Sequence, residues 1–333
     1  MWRAALHDLS ISWSVDPALD ADPLGELLAM LGPRGRAAGE AEGQVHVEQR
    51  LAGAEAGRDP AEEGMHSAFF HGAIQAYSSP RGFLLWDRAS RVLVPLDGAP
   101  LVAALVRAEA EPSPGSSVLL LQIALSLALR RFGLFHAHAA ALGHPSRAAV
   151  LIAGASGAGK TTTTLSLIDA GFGYLGDDAL FLREAAEDGV IEALAFPRAF
   201  HLGRATLSAF PHLRAFSGPE HPRSHKRALD ARAAYPGREQ AALSLRPGEK
   251  LLLFPSVTGE ATTQLAQLSK AEAFGVLLAS SAALVIEGMP HREESFRMLR
   301  VLVDHAICRE IRLGRDLLED PGGVIGALVE GAR

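Results

Sequence analysis

The chain has very little cysteine: one residue, Cys308, in 333. A lone thiol cannot close an internal disulfide, so packing must hold the fold, and a reducing cytoplasm is the expected setting. Cys308 sits among Val301, Leu302, Val303, Ala306 and Ile307, which suits a buried packing role better than a nucleophile's. Positive charge is not in surplus either. The 32 Lys and Arg face 38 Asp and Glu, for a net charge of −6. That gives no bulk attraction to nucleic acid or to an anionic membrane. No apolar run reaches the ~20 residues that a membrane-crossing helix needs. The most apolar stretch, Val118 to Leu129, is shorter and reads as a buried helix, with Arg130 and Arg131 at its C-terminal end where cations suit the dipole. Met1-Trp2-Arg3-Ala4 lacks a basic segment leading into an apolar core, so no secretory signal is expected. No internal repeat is visible. What remains is ordinary for a soluble globular protein, 48% apolar and 21% charged. The length suits about two domains.

What is present is a glycine loop. Gly154-Ala155-Ser156-Gly157-Ala158-Gly159-Lys160-Thr161 matches G-x-x-x-x-G-K-[ST], the phosphate-binding P-loop pattern. The context fits. Ala148 to Ala153 is a short apolar run, as in a buried strand, and Thr161 to Ala170 carries Leu165, Leu167 and Ile168 at helical spacing. Glycines let backbone N–H groups turn toward a phosphate with no Cβ in the way. A following helix adds its partial positive N-terminus. Lys160 supplies a point charge, and the Thr161 hydroxyl can bind Mg²⁺.

The second chemical feature is Asp177-Asp178, at or near a strand, after Gly171 to Gly176 and before Ala179-Leu180-Phe181-Leu182. Adjacent residues of a strand face opposite sides, so one carboxylate can face a nucleotide while the other serves a different partner, unless the strand bends there. P-loop enzymes need an aspartate to hold Mg²⁺, and kinases need a base for the acceptor's hydroxyl proton. Aspartates also cap turns. The short distance to the glycine loop favours the functional reading.

These residues carry a resemblance. The glycine loop with Thr162, then Leu165 to Gly171, then Gly176-Asp177-Asp178 resembles the catalytic domain of HPr kinase/phosphorylase and its HPr-kinase-like relatives. Phe135-His136-Ala137 resembles that family's histidine-bearing strand upstream of the P-loop, and His138 competes for the same match. The similarity runs from Leu134 to Leu182 and continues more weakly through Phe196 to Leu202. No Glu-x-Arg-Gly follows the Asp pair, and the N-terminal zone does not resemble the bifunctional enzyme's regulatory domain. The chain is therefore more similar to the HPr-kinase-like relatives, some of which sit with peptide-modifying systems and phosphorylate a serine.

The resemblance implies an α/β fold, a P-loop kinase domain of the HPr kinase and phosphoenolpyruvate carboxykinase type. It implies ATP and Mg²⁺ as cofactors and a peptide or protein carrying the acceptor hydroxyl. Ala155 to Gly159 and Lys160 would cradle phosphates. Thr161 would bind Mg²⁺, aided by Asp177, and Asp178 would take the acceptor proton, with the two aspartates able to swap roles. His136 would lie near the transferred phosphoryl group; its alternative is a packed core histidine. A small-molecule kinase, or a nucleotide-binding regulator that transfers no phosphate, is the other reading.

The domains are expected at 1–101, a smaller mixed α+β N-terminal domain; 102–117, a linker; and 118–333, the kinase-like domain. In the first, Pro23 to Leu31 suggests a helix, and Phe83 to Trp86 with Arg91 to Leu96 a hairpin. Gly32 to Glu42 and Ala52 to Gly64 read as mobile loops. In the second, Phe135 to Leu142 and Leu251 to Pro255 read as strands. Ser269-x-x-Glu272 is a capping box. Glu293 to Arg309 reads as one amphipathic helix whose stripe of Phe296, Leu299, Val303 and Ile307 is core or subunit interface. A homo-oligomer is expected. Cations after Pro197, namely Arg198, His201 and Arg204, and the cluster Arg223, His225, Lys226 and Arg227 could close over a triphosphate. Lys226 and Arg227 are the candidates from that cluster.

Overall fold

The computed structural model describes residues 2–19, 22–29, 43–71, 74–105, 116–144, 147–187, 189–196, 199–221, 224–280 and 291–330. The loop expected at 32–42, most of the expected linker, Arg198 and Arg223 lie outside them. The chain is mixed α/β with several sheets. Among the described residues no helix is long and apolar enough to cross a membrane. Two compact units divide it, Met1–Phe135 with Ala283–Glu293, and His136–Ala282 with Glu294–Arg333. The helix Ser116–Ala128, expected to open the kinase-like domain, falls in the first unit and packs on that unit's strands.

The first unit is built on an eight-stranded sheet. The expected hairpin is there: Gly82–Trp86 pairs with Arg91–Pro95 around a turn in which Asp87 Oδ1 accepts from the Ser90 N–H at 2.6 Å. All five residues of Gly82–Trp86 are buried, so both faces of the sheet are covered there. On one face Leu84 and Trp86 join Tyr77, with the Tyr77 and Trp86 rings edge to face at 6.2 Å. The segment read as a mobile loop, Ala52 to Gly64, packs against that face. Its Ala54–Gly57 forms a 3₁₀ turn whose Ala56 carbonyl accepts from Trp86 Nε1 at 2.9 Å, and Asp59 accepts from the Tyr77 hydroxyl at 3.1 Å. Its Gly/Ala/Glu composition hid this, because the apolar partners come from distant strands. Arg130, just past the helix, is almost fully buried, and burial pushes its guanidinium down to about 10.

The second unit centres on a six-stranded sheet. Three strands at its middle run parallel: Arg147–Ala153 beside Lys250–Val257 beside Ile307–Leu313. The first two are nearly continuous apolar runs, as strands covered on both faces must be. Ala139–His144 pairs antiparallel with Arg147–Ala153 on one side and with Gly173–Gly176 on the other. A four-stranded sheet includes Phe135–Ala137 and Leu180–Glu184, and a three-stranded sheet joins Phe200–Leu202, Arg227–Leu229 and Ser217–Glu220.

Two expected elements are split. Phe135 to Leu142 is two strands, because the chain bends at His138 and changes sheet. The helix expected over 293–309 spans Arg292–Asp304, and Ile307 starts the next strand. Helical spacing carries Ile307 along by coincidence. The true stripe ends at Val303, and Lys270 Nζ donates to the Val303 carbonyl at 2.8 Å. The capping box stands as read: Ser269 Oγ donates to Glu272 Oε2 at 2.6 Å, and Glu272 N–H returns a bond to Ser269 Oγ at 3.2 Å. Cys308 is buried within a strand, and burial raises its thiol pKa.

Candidate functional site

The glycine loop leaves the C-terminal end of Arg147–Ala153 and enters the helix Lys160–Asp169. That helix opens Lys-Thr-Thr-Thr-Thr, a weak helix-forming start because β-branched side chains lose rotamer freedom against the preceding turn. Burial supplies what propensity lacks. Leu165, Leu167 and Ile168 enter the core, and Thr163 Oγ1 and Ser166 Oγ donate back to the Gly159 and Thr162 carbonyls at 3.0 and 2.9 Å. Gly159 has φ 107°, which disfavours any side chain, and a Cβ there would run into Leu313 on the parallel sheet. Gly157 also has positive φ, 82°. Ala155, Ser156 and Gly157 are exposed and present the loop backbone to solvent, while Ala158 N–H turns back to the Ala155 carbonyl at 3.2 Å.

Lys160 is buried, and its ammonium reaches back across the loop. It donates to the Gly154 carbonyl at 2.8 Å and the Ala155 carbonyl at 3.3 Å. It also lies 3.2 Å from His138 Nε2 and 3.8 Å from Asp178 Oδ1. His138 Nε2 is in turn 3.1 Å from Asp178 Oδ1. One nitrogen cannot accept from the lysine and donate to the carboxylate at once. With Nε2 protonated it bonds Asp178; with Nε2 bare it accepts from Lys160. On the next residue, Thr161 Oγ1 donates to Asp177 Oδ2 at 2.9 Å, and Asp177 is only 5% exposed. Thr162 Oγ1 lies 3.3 Å from Thr206 Oγ1, which ties the same helical turn to the helix Arg204–Ala209.

The two aspartates do not divide between opposite faces. They lie in the bend between Gly173–Gly176 and Leu180–Glu184, where the chain passes from the six-stranded to the four-stranded sheet. Leaving the pleat lets both carboxylates meet the glycine loop, Asp177 at Thr161 and Asp178 at Lys160.

His136 is placed otherwise. Its ring stands edge-on to Phe181 at 6.1 Å and Phe196 at 5.9 Å. His138 is the histidine that reaches the lysine and Asp178. The bend that turns it inward has no mark of its own in an Ala- and His-rich stretch. Lys226 and Arg227 were expected in a loop over the phosphates. Arg227 instead begins a strand, and its guanidinium donates to the Gly218 carbonyl at 3.5 Å; Lys226 is exposed just before it.

Among the described residues no three His, Cys, Asp or Glu gather as a metal cage. Thr161 and Asp177 instead offer two hard oxygens. That suits Mg²⁺, which keeps several waters and takes one or two protein oxygens plus substrate phosphates.

No family model matches the chain, and no curated protein matches it. Among solved structures it is similar to the Hpr(Ser) kinase/phosphatase from Coxiella burnetii, at 12% identity and a TM-score of 0.29, over 59% of this chain and 94% of that one.

Proposed function

We propose that the chain is an ATP-dependent kinase of the HPr-kinase-like kind, transferring phosphate to a hydroxyl, a serine of a peptide or protein. One observation carries this reading: consecutive residues of the glycine loop, Lys160 and Thr161, meet consecutive carboxylates, Asp178 and Asp177. A chance glycine turn has no reason to gather these four groups. The exposed backbone of Ala155 to Gly157 and the helix N-terminus would receive phosphate oxygens. Lys160 would exchange its loop carbonyls for phosphate. Thr161 and Asp177 would hold Mg²⁺, which neutralises phosphate charge when bound. Asp178 would take the acceptor's proton, with the Nε2–H of His138 fixing its carboxylate.

Calorimetry with Mg²⁺-ATP tests the first half, and mass spectrometry of a serine-peptide pool after incubation tests the second. The expected results are saturable nucleotide binding and a gain of one phosphate on peptide. Lys160→Ala should keep its circular dichroism yet lose transfer by orders of magnitude. Absence of nucleotide binding in the parent protein overturns the reading.

A further inference from the structure

Although the whole chain is net negative, one region beside the glycine loop is not. Between residues 199 and 229 the described residues hold four Lys and Arg and four His against one acid, Glu220. Strand pairing sets Arg227 opposite Leu202, two residues before Arg204 in the chain, on one side and opposite Glu220 on the other. Glu220 Oε1 accepts from Arg204 Nη2 at 3.0 Å and lies 3.0 Å from His225 Nδ1. Arg204 is 77% exposed and His225 65%. The patch borders the candidate site, because Thr206, two residues past Arg204, touches Thr162.

We infer that this surface docks an acidic segment of the acceptor polypeptide, next to its acceptor hydroxyl. The inference rests on the kinase reading. The patch already holds a carboxylate, that of Glu220, so Arg204 and His225 stand at carboxylate spacing. Exposed ion pairs are weak, so Glu220 can yield to an incoming acid at little loss. Rim cations also steer an acidic partner toward the site and select it over others. A polyphosphate backbone fits less well, since the acidic body of the protein repels a long polyanion.

The test is fluorescence anisotropy with the full chain, Mg²⁺ and a non-hydrolysable ATP analogue. The probes are a labelled serine peptide flanked by glutamates, its lysine-flanked counterpart and a single-stranded oligonucleotide. The glutamate peptide should bind about tenfold tighter than the lysine peptide, and added salt should erode the preference. Arg204→Glu should abolish the preference. Glu220→Gln should tighten glutamate-peptide binding by about twofold to fivefold. Equal binding of the two peptides, an unchanged preference in Arg204→Glu, or tighter binding of the oligonucleotide overturns the inference. Calorimetry on the same samples separates the two levels. Retained nucleotide binding without an acidic preference overturns docking alone, and loss of nucleotide binding in the parent overturns the kinase reading beneath it.

Discussion

Replacing Lys250 by methionine should stabilise the protein at neutral pH, and the gain should vanish in alkali. Lys250 opens the central parallel strand and is fully buried. Its ammonium has a long bond to the Leu245 carbonyl, 3.4 Å, and Lys270 lies near enough to oppose its charge. Burial first, and Lys270 second, push its pKa from 10.5 down to about 8. A gap of about 2.5 pH units corresponds to about 3 kcal/mol against the charged form. The folded pKa is the lower one, which fixes the sign. Below pH 8 both states are protonated and the folded state carries the full penalty. From pH 8 to 10.5 the unfolded chain binds the extra proton, so folding gains stability as pH rises. Methionine keeps the stem's volume without the charge. At pH 7 the variant should gain about 2 kcal/mol, the penalty less about 1 kcal/mol for the lost hydrogen bond. Urea midpoints of parent and variant, taken from pH 7 to 10.5, measure the difference directly and cancel the other titrating groups. A difference that stays flat with pH, or a variant weaker than the parent at pH 7, refutes the reasoning.

The two aspartates should fail differently. Excess Mg²⁺ should partly restore phosphoryl transfer in Asp177→Ala, while Asp178→Ala should bind Mg²⁺-ATP normally and transfer ~10²–10⁴-fold more slowly at every Mg²⁺ level; the reverse pattern in a Mg²⁺ titration of rates would swap their roles. The two histidines should also separate. His138→Gln should slow transfer with little change in melting temperature, whereas His136→Ala should lower stability by about 1 kcal/mol through lost contact with Phe181 and Phe196, seen as a lower urea midpoint.

The glycine loop with its strand and helix was legible because each piece is local. The pattern Gly154 to Thr161, the apolar run before it and the leucines after it lie within one short stretch of chain. The capping box at Ser269 and the hairpin at Asp87 were legible for the same reason. The Asp pair was legible as a candidate but not in its geometry, since alternation along a strand predicts opposite faces and only the change of sheet brings both carboxylates to one place. His136 and His138 could not be told apart, because a bend with no glycine or proline to announce it decides which one turns to Lys160. The packing of Ala52 to Gly64 onto Tyr77 and Trp86 was invisible, as it depends on side chains from other strands rather than on the segment's own composition. Arg227 read as a loop cation because its strand is only three residues long and one of its partners, Phe200–Leu202, lies far away in sequence.

The antiparallel ladder between Ala139–His144 and Arg147–Ala153 sets Ala139 opposite Ala153. The residues just beyond that rung are His138 on one strand and Gly154 on the other. The distance from histidine to loop is therefore counted out by a zipper, rung by rung. A slip of one residue along these regular rungs turns side chains to the other face, whereas the irregularity between Leu142 and His144 already absorbs one residue. Gaining or losing a single residue within the regular rungs, Ala139 to Leu142 against Val150 to Ala153, would offer Ala137 or Ala139 where the histidine now stands, with the glycine loop and both aspartates still encoded. Length changes in this protein's lineage should therefore spare the rungs Ala139 to Leu142 and Val150 to Ala153, which should vary by substitution alone.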